Sequence, residues 1–589
     1  MKSKISFFNA GIFKSMLKRF WPLWTVYFAV WFMSLPLPSL VVRLQLDTAA
    51  GVTLISDLDV YINISIISGA IVAVLAAMAV FSFLYNSRSC GMIASAPVGR
   101  EAVFCSAFLA GTLPIIVSNL LIGVFNTLFC LNGGVAVEYL IKANAVFFCV
   151  SSMTYLIFFS IASFTAMLTA NIVALPVLYA ILNFVFLGME YVVRTLYGLF
   201  VYGFTEYSGC VLEFLSPSIC LIGKLQVHYT AENYCFSMSG WIPLIIYLAA
   251  GLVLCLIALL LYRKRRMETA GDVIAVKSLR PVFKYCVTAC AALCFGLFFY
   301  VIISSVFTSL SASILVLSLG LLTGAFIGYF ASEMLLKKSF HVFKGTWKGY
   351  IIVGVLCVAF AVGCVTDILN ISAKLPDAED IEYVLCDGEN GNFELKDTAD
   401  IKAMLKVNKA IVNDRSKYAD IKEDVFYSDD VYCVNICYVL SNGTTVNRGY
   451  TIYKDDNYEA YCEILSSKHV IKEYFTPDVE VTVQNVYSAE YFYATGEEDV
   501  GCVSLTPEQA VDFYENALMK DIEDGLVTLS SLDENIGYSS YFTIGLVKAP
   551  DNSADDGTYA SLDVVVQSEY AACVDWIKSN LGLDFPAVT

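Results

Sequence analysis

Apolar side chains fill stretches of about twenty residues through the first two thirds of the chain and thin to alternation in the last third. A helix crossing bilayer hydrocarbon needs about 20 largely apolar residues. Nine runs meet that length: Phe20–Val41, Ile64–Tyr85, Val103–Cys130, Ala145–Leu168, Ile172–Met189, Trp241–Tyr262, Tyr285–Phe307, Ala312–Leu336 and Trp347–Val365. Ahead of the first, Ile5, Phe8, Ile12 and Met16 fall on one helical stripe with Lys14 and Lys18 off it. That pattern predicts an amphipathic helix in the membrane interface over 1–19, although a basic flank that only fixes topology has the same charges. The first run is too long for a signal-peptide h-region and no small-residue cleavage site follows it closely, so it reads as a retained span.

From about Leu369 the period shortens. Strands are expected at Glu382–Cys386, Val431–Leu440, Val446–Tyr453, Val479–Val486, Tyr541–Val547 and Tyr559–Val566, with Asn442-Gly443 as a type I′ hairpin turn. Helices are expected at Asp400–Val412, Tyr458–Leu465, Pro507–Ile522 and Ala571–Leu581. Thr506-Pro507-Glu508-Gln509 supplies the third of these with an N-cap, a proline at its first position and a capping-box partner. The order strand, helix, hairpin, helix occurs twice, around Glu382–Leu465 and Val481–Leu581, which suggests two related α+β units.

Charge divides the chain at the same place. Residues 1–369 hold 22 Lys and Arg against 13 Asp and Glu, a net of +9, while the remaining 220 hold 15 against 41, a net of −26. The whole is 58% apolar with mean hydropathy +0.66, and 15% is charged, where soluble domains carry about a quarter. A soluble enzyme of this length is excluded. Nucleic acid is not an expected partner, since no concentrated basic surface is available to neutralise phosphates. With the N-terminus in the cytoplasm, 18 of the body's 22 cations fall on cytoplasmic segments and only Arg43, Lys142, Arg194 and Lys224 fall outside, as the positive-inside rule asks. An odd number of spans then puts the acidic domain outside the cell, with the plasma membrane as the expected location. That domain's charge could attract a cationic ligand or could simply keep it soluble.

Six cysteines lie in the acidic domain: Cys386, Cys433, Cys437, Cys462, Cys502 and Cys573. They permit disulfides in fifteen connectivities, among which sequence does not choose. Cys433 and Cys437 have no matching Cys/His pair and read as strand packing rather than a zinc site.

Several local features follow one another along the body. The predicted N-terminal helix is followed, between spans two and three, by YNSRSCGMIASAPVGREAVF. Spans four and five are joined by the uncharged turn MLTANIVA. After span five comes EYSGCVLEFLSPSICLIGKL, an apolar segment broken by Ser216, Pro217 and Ser218. It reads as short re-entrant helices, irregular backbone that is tolerated at membrane depth only against protein. Span six ends in LLYRKRRMETAGDVIAVKSLRPVF.

In this order the features resemble the membrane subunit of a type-2 ABC transporter, an ABC-2-like permease, over roughly Met1 to Lys284. The three further spans and the acidic domain resemble an extension found in a subset of bacterial permeases. The resemblance implies a polytopic α-helical membrane protein of about nine spans: a six-helix permease core at 20–262, a basic cytoplasmic loop at 263–284, three additional spans at 285–368, and an extracellular α+β domain at 369–589. It implies a second permease subunit, identical or paralogous, and cytoplasmic ABC ATPase subunits on which ATP is bound, with membrane lipids around the spans. Ser89–Gly99 would be the ATPase-coupling turn, with Arg88, Ser89, Gly91, Pro97, Arg100 and Glu101, and the N-terminal helix would share that contact. The segment around Leu215–Leu225 would form the outer gate, with Phe214, Ser216 and Pro217. As bare sequence, each is also an ordinary loop that satisfies topology.

Chemistry is sparse. No P-loop, no H-E-x-x-H and no G-x-S-x-G occurs, and the three histidines (His228, His341, His469) are far apart in sequence. No catalytic, cofactor or metal residues are expected in this chain. Glu190 and Arg194 stand one helical turn apart and could pair. Glu190 lies about 27 Å from Ile172 along a helix, near the outer interface, so a structural polar pair is the plain reading. The near absence of midmembrane charge favours ATP-driven export of an amphipathic, lipid-like or peptide cargo over ion-coupled transport. The alternatives are a membrane sensor with an extracellular ligand-binding domain, which should carry a cytoplasmic output domain, and a membrane enzyme, which should cluster acids and histidines.

Overall fold

The computed structural model describes residues 7–46, 50–95, 97–131, 135–205, 211–230, 235–265, 273–303, 310–343, 345–368, 370–388, 391–418, 431–441, 444–477, 479–494, 500–527, 540–547 and 559–583. The expected hairpin turn at Asn442-Gly443 lies outside these residues, as do Ile5, the METAGD stretch after span six and the end of the seventh predicted run.

Among the described residues nine helices are long and apolar enough to cross a membrane. The chain is therefore a polytopic helical membrane protein. A short helix α1 (Ala10–Arg19) precedes them, started by Asn9, whose side chain accepts the Ile12 N–H. Phe8 of the expected stripe precedes this helix, whereas Met16 is buried. The first span is broken, α2 (Trp21–Ser34) giving way to α3 (Pro36–Leu46), because Pro36 and Pro38 have no N–H to donate. Then follow α4 (Ala50–Ser56), α5 (Leu58–Val80), α6 (Ser87–Ser95), α7 (Arg100–Cys130), α8 (Val137–Leu168) and α9 (Ala174–Phe200). A 3₁₀ turn (Val211–Leu215), α10 (Pro217–Lys224) and the hairpin β1 (Val227–Thr230) and β2 (Cys235–Met238) lead to α11 (Trp241–Lys264). Three more spans are α12 (Arg280–Ile303), α13 (Leu310–Lys337) and α14 (Trp347–Val365). Contacts divide the chain into one unit of 1–193 with 210–362 and another of 194–209 with 363–589.

In the first unit the interior of the early spans is aromatic and aliphatic, with uncharged polar groups threaded through it. Tyr27 Oη donates to Asn119 Oδ1 at 2.7 Å, and Asn119 Nδ2 donates to Ser152 Oγ at 3.3 Å. Asn126 Nδ2 donates to Asn144 Oδ1 at 3.0 Å, and the Tyr155 hydroxyl donates to the Gly111 carbonyl at 2.8 Å. Such bonds tie helices together where apolar surface has no preference for protein over lipid. Helices α12 and α13 use another means. Gly296, Gly320, Gly324 and Gly328 face the opposing helix so closely that a Cβ on Gly324 would clash with the Ala291 carbonyl.

In the second unit the elements are β3 (Ile381–Gly388), β4 (Gly391–Leu395), α15 (Thr398–Asn413), α16 (Arg415–Tyr418), β5 (Val431–Leu440), β6 (Thr445–Tyr453), α17 (Asp456–Leu465) and α18 (Lys468–Tyr474). They are followed by β7 (Val486–Ala494), β8 (Val500–Ser504), a helix made of α19 (Pro507–Asp512), a π turn and α20 (Met519–Asp524), β9 (Ser540–Val547), β10 (Tyr559–Val565) and α21 (Ala571–Asn580). Two antiparallel sheets run β4-β3-β5-β6 and β8-β7-β9-β10, the same order of strands. Each has its register shift at the start of its first strand, between Ile381 and Tyr383 and between Val486 and Ser488. Each half thus opens with a hairpin rather than the single strand expected from sequence, because the second strands β4 and β8, five residues each, are too short to show a clear alternation. The expected strand at Val479–Val486 is instead a turn closed by the Asn485 and Val486 N–H groups on the Thr482 carbonyl, and β7 begins where it ends. The expected capping box is present, with Gln509 N donating to Thr506 Oγ1 and Thr506 N to Gln509 Oε1. The six cysteines of this domain are free thiols.

Candidate functional site

The residues singled out in the sequence gather at two places in the first unit. The first lies where α5 ends and α7 begins. Asn86 Oδ1 accepts the Arg88 N–H at 3.0 Å and starts α6. That helix turns Cys90 inward and leaves Arg88, Gly91 and Met92 facing out, Met92 at 69% exposure. Ser89 is half-buried and Pro97 exposed.

Arg100 and Glu101 behave differently from the rest of this group. Arg100 Nη1 donates to the carbonyls of Arg263 and Arg265, both at 2.9 Å, and Glu101 Oε1 pairs with Arg263 Nε at 3.1 Å. These are carbonyls at the C-terminus of α11, which have no helical partner and carry the negative end of the helix dipole. Buried Arg265 does the same for α8, its Nη1 donating to Ala166 O at 3.0 Å and Met167 O at 3.4 Å. The Thr169 hydroxyl donates to Val273 O at 2.7 Å and the Ala275 N–H to Leu168 O at 2.7 Å. Two guanidinium groups and one loop therefore fasten the start of α7 and the ends of α8 and α11 together, beside the outward-facing α6. Burial lowers the Arg265 pKa, and burial pushes the Tyr85 hydroxyl and Cys90 thiol up, so both remain neutral next to it. Sequence treats Arg265 as one of four cations in RKRR. Nothing in that run marks which of them turns inward.

The second place is the broken segment after α9. Both carboxylate oxygens of Glu190 accept backbone N–H groups, Oε1 from Val211 and Oε2 from Leu212, each at 2.6 Å. A carboxylate at that position satisfies donors that a helical turn leaves open and complements its positive end. Glu190 thus acts as a cap for the segment, a role that its spacing from Arg194 did not suggest; Arg194 is half-buried on the same helix. Phe214 is 57% exposed and its carbonyl accepts the Tyr247 hydroxyl of α11 at 2.7 Å. Ser216 is buried with extended backbone, and Pro217 occupies the first turn of α10, where no N–H is needed. The hairpin that follows is held by Asp59 of α5, accepting the Val227 N–H at 3.0 Å, and by Lys142 of α8, donating to Phe236 O at 3.4 Å. Gly240 then turns the chain into α11 at φ 86°, where a Cβ would meet the Lys224 carbonyl. The segment is irregular backbone packed against protein on several sides.

In the second unit the tail of span five is itself part of the acidic domain. Phe204 bridges to Arg448 of β6 and the Gly449 N–H donates to the Gly203 carbonyl at 3.2 Å. Gly203, at φ 75°, leaves room for the Tyr450 ring that any side chain would strike. Arg448 is buried and donates Nη2 to the carbonyls of Ile371 and Lys374 at 3.1 and 2.6 Å, fixing the stretch that follows span nine. Among the described residues no His, Cys, Asp and Glu group of three or more could hold a metal ion.

Comparison with family models, with curated proteins and with solved structures finds no match to this chain.

Proposed function

We propose that this chain is the membrane-spanning permease subunit of an ATP-driven exporter of the type-2 ABC class, working with a second permease subunit and with separate cytoplasmic ATPases. The observation that carries the reading is α6, a short helix with Arg88, Gly91 and Met92 outward, which precedes in the chain the start of α7 that Arg100, Glu101, Arg263 and Arg265 lock to the ends of α8 and α11. A push passed along the chain from α6 to the start of α7 reaches α7, α8 and α11 together, because Arg100, Glu101, Arg263 and Arg265 fasten those ends to one another. In this account Ser89–Gly99 receives the ATPase in the cytoplasm, the N-terminal helix flanks it, and the segment capped by Glu190 closes the path at the opposite face, with the acidic domain outside the cell. Arg100 and Glu101 act there as the mount and not as the contact itself, which falls to Arg88, Gly91 and Met92. The uncharged interior of the early spans fits an amphipathic, lipid-like or peptide cargo moved by a partner's ATP hydrolysis.

The test is gentle-detergent purification of the chain from its own cells with identification of co-purifying proteins. A P-loop ATPase at near-equal amount, lost when Ser89–Gly99 is replaced by Gly/Ser, is the expected result. Absence of any nucleotide-binding partner, under conditions that preserve other membrane complexes, overturns the proposal.

A further inference from the structure

A cavity of about 530 Å³ lies between α9 and α12. Leu178, Leu182 and Phe186 line it from α9, and Cys286, Cys290 and Cys294, spaced one turn apart on a single stripe, line it from α12. Leu168 and Ile274 line it from the segments next to those spans. Its size falls within the ~300–1,000 Å³ of small-molecule sites, yet every lining group is apolar or a thiol, which behaves as a small hydrophobe. Water has no partner there and does not fill such a space. Both walls belong to spans, so the medium on hand to fill it is acyl chain.

A second cavity, about 410 Å³, lies close by. The two are lined by neighbouring residues, Leu168 and Asn171 on one segment and Ile274 and Val273 on the other. This second space is of mixed character, with Asn171, Lys338 and Ser339 beside Met334, Leu335 and Phe340. Phe340 is 82% exposed, an aromatic at the end of a span, where rings sit at headgroup level. Lys338 follows the last residue of α13, where a cation meets an anionic headgroup without entering hydrocarbon. An apolar slot with a cationic, amide-bearing cavity close by at a span end has the two-part chemistry of one amphiphile.

We infer that these neighbouring cavities together bind one anionic phospholipid, with an acyl chain between α9 and α12 and its phosphate beside Lys338 and Asn171. The lipid fills the gap between the early spans and the α12–α13 pair and serves as a structural part of the membrane body, whether or not the chain is a transporter subunit.

The experiment uses the full chain, purified and delipidated in mild detergent, with phosphatidylglycerol or phosphatidylcholine of matched acyl chains added before native mass spectrometry. One phosphatidylglycerol retained per chain, favoured over phosphatidylcholine by about five-fold, is expected from a single lysine near an anionic headgroup. Cys290→Trp, which fills the slot, should abolish retention of both lipids, and Lys338→Gln should keep retention but erase the preference. Because a tryptophan can also misfold a helix pair, the wild-type chain supplies an independent readout. Phosphatidylglycerol should slow N-ethylmaleimide labelling of Cys286, Cys290 and Cys294, and inorganic phosphate alone should not. Equal retention of the two lipids by the wild type, unchanged retention by Cys290→Trp, or protection by phosphate alone would each overturn the inference.

Discussion

The early spans and the α12–α13 pair meet the same physical problem with different means. Lipid is as apolar as leucine, so burying leucine does little to bring helices together in a membrane. Between α2, α7 and α8 the chain answers with hydrogen bonds: Tyr27 to Asn119, Asn119 to Ser152, Asn126 to Asn144. Between α12 and α13 it answers with absence, removing side chains at Gly296, Gly320, Gly324 and Gly328 so that backbones touch. The first solution specifies direction and register atom by atom. The second depends on shape alone and fails abruptly when an atom is added.

That difference sets an order of expected effects. Gly324→Val places a branched side chain against the Ala291 carbonyl and should cost about 3 kcal/mol or more, the upper range for overpacking. Thermal unfolding of the full chain in detergent, or loss of a cysteine cross-link between α12 and α13, reads this. Gly251→Ala is the sharpening control, since its Cβ meets Ile157 at 3.4 Å, an ordinary contact, and should change stability by less than ~1 kcal/mol.

Next comes Arg265→Met, which strips two carbonyls at the end of α8 of a charged donor and should cost about 2 kcal/mol. Faster proteolysis at the 263–275 segment, with the spans still inserted, is the readout. Asn119→Leu leaves the buried Tyr27 hydroxyl without its acceptor and should cost about 1 kcal/mol, because an unfolded helix in lipid also finds partners. An Asn119→Leu effect larger than that of Gly324→Val would reverse the comparison.

The smallest effect is that of acid on the C-terminal domain. Burial alone would raise the carboxyls of Asp367 and Asp455, but hydrogen bonds outweigh it and hold both below their ordinary value, from Ser372 and Ile371 in one case and Lys417 and Tyr418 in the other. Hydrogen bonds from Trp576 and Asn516 do the same for exposed Asp512. A carboxyl depressed in the folded state contributes stability that is present above the unfolded value of about 3.9 and is lost as pH falls through the folded one. The domain's fluorescence melting in the full chain should therefore be flat from neutrality to about pH 5 and decline below about pH 4. A decline centred near neutrality would contradict the assignment.

What could be read from sequence follows from the same physics. The nine helices that are long and apolar enough to cross a membrane among the described residues were all legible, because twenty apolar residues leave few other structures available. Their ends were less so: α9 runs to Phe200, eleven residues past Met189, since Glu190 and Arg194 interrupt hydropathy without interrupting the helix. In the acidic domain the long strands β5, β9 and β10 declared themselves by alternation, whereas β4 and β8, five residues each, did not. The exposed turn around Arg88 and Gly91 was visible as a short polar break between spans. The mount beneath it was not, because Arg100 and Arg265 act on backbone carbonyls distant in sequence, and a carbonyl leaves no mark in a string of side chains. Glu190 illustrates the same limit, its partners being the N–H groups of Val211 and Leu212.

We propose that α6 is where a partner's ATP-driven motion enters the membrane body. The most direct measurement is a photo-crosslinking amino acid installed at Met92 in living cells, with the 54% exposed Val253, on a different helix (α11), as control. The account predicts that position 92 captures an ATP-binding protein and position 253 does not, and that Ser89→Gly with Gly91→Asp, a charge set into the contact, cuts the yield about ten-fold, equivalent to ~1.4 kcal/mol. Capture of no nucleotide-binding protein at position 92, or of the same protein at both positions, would contradict it.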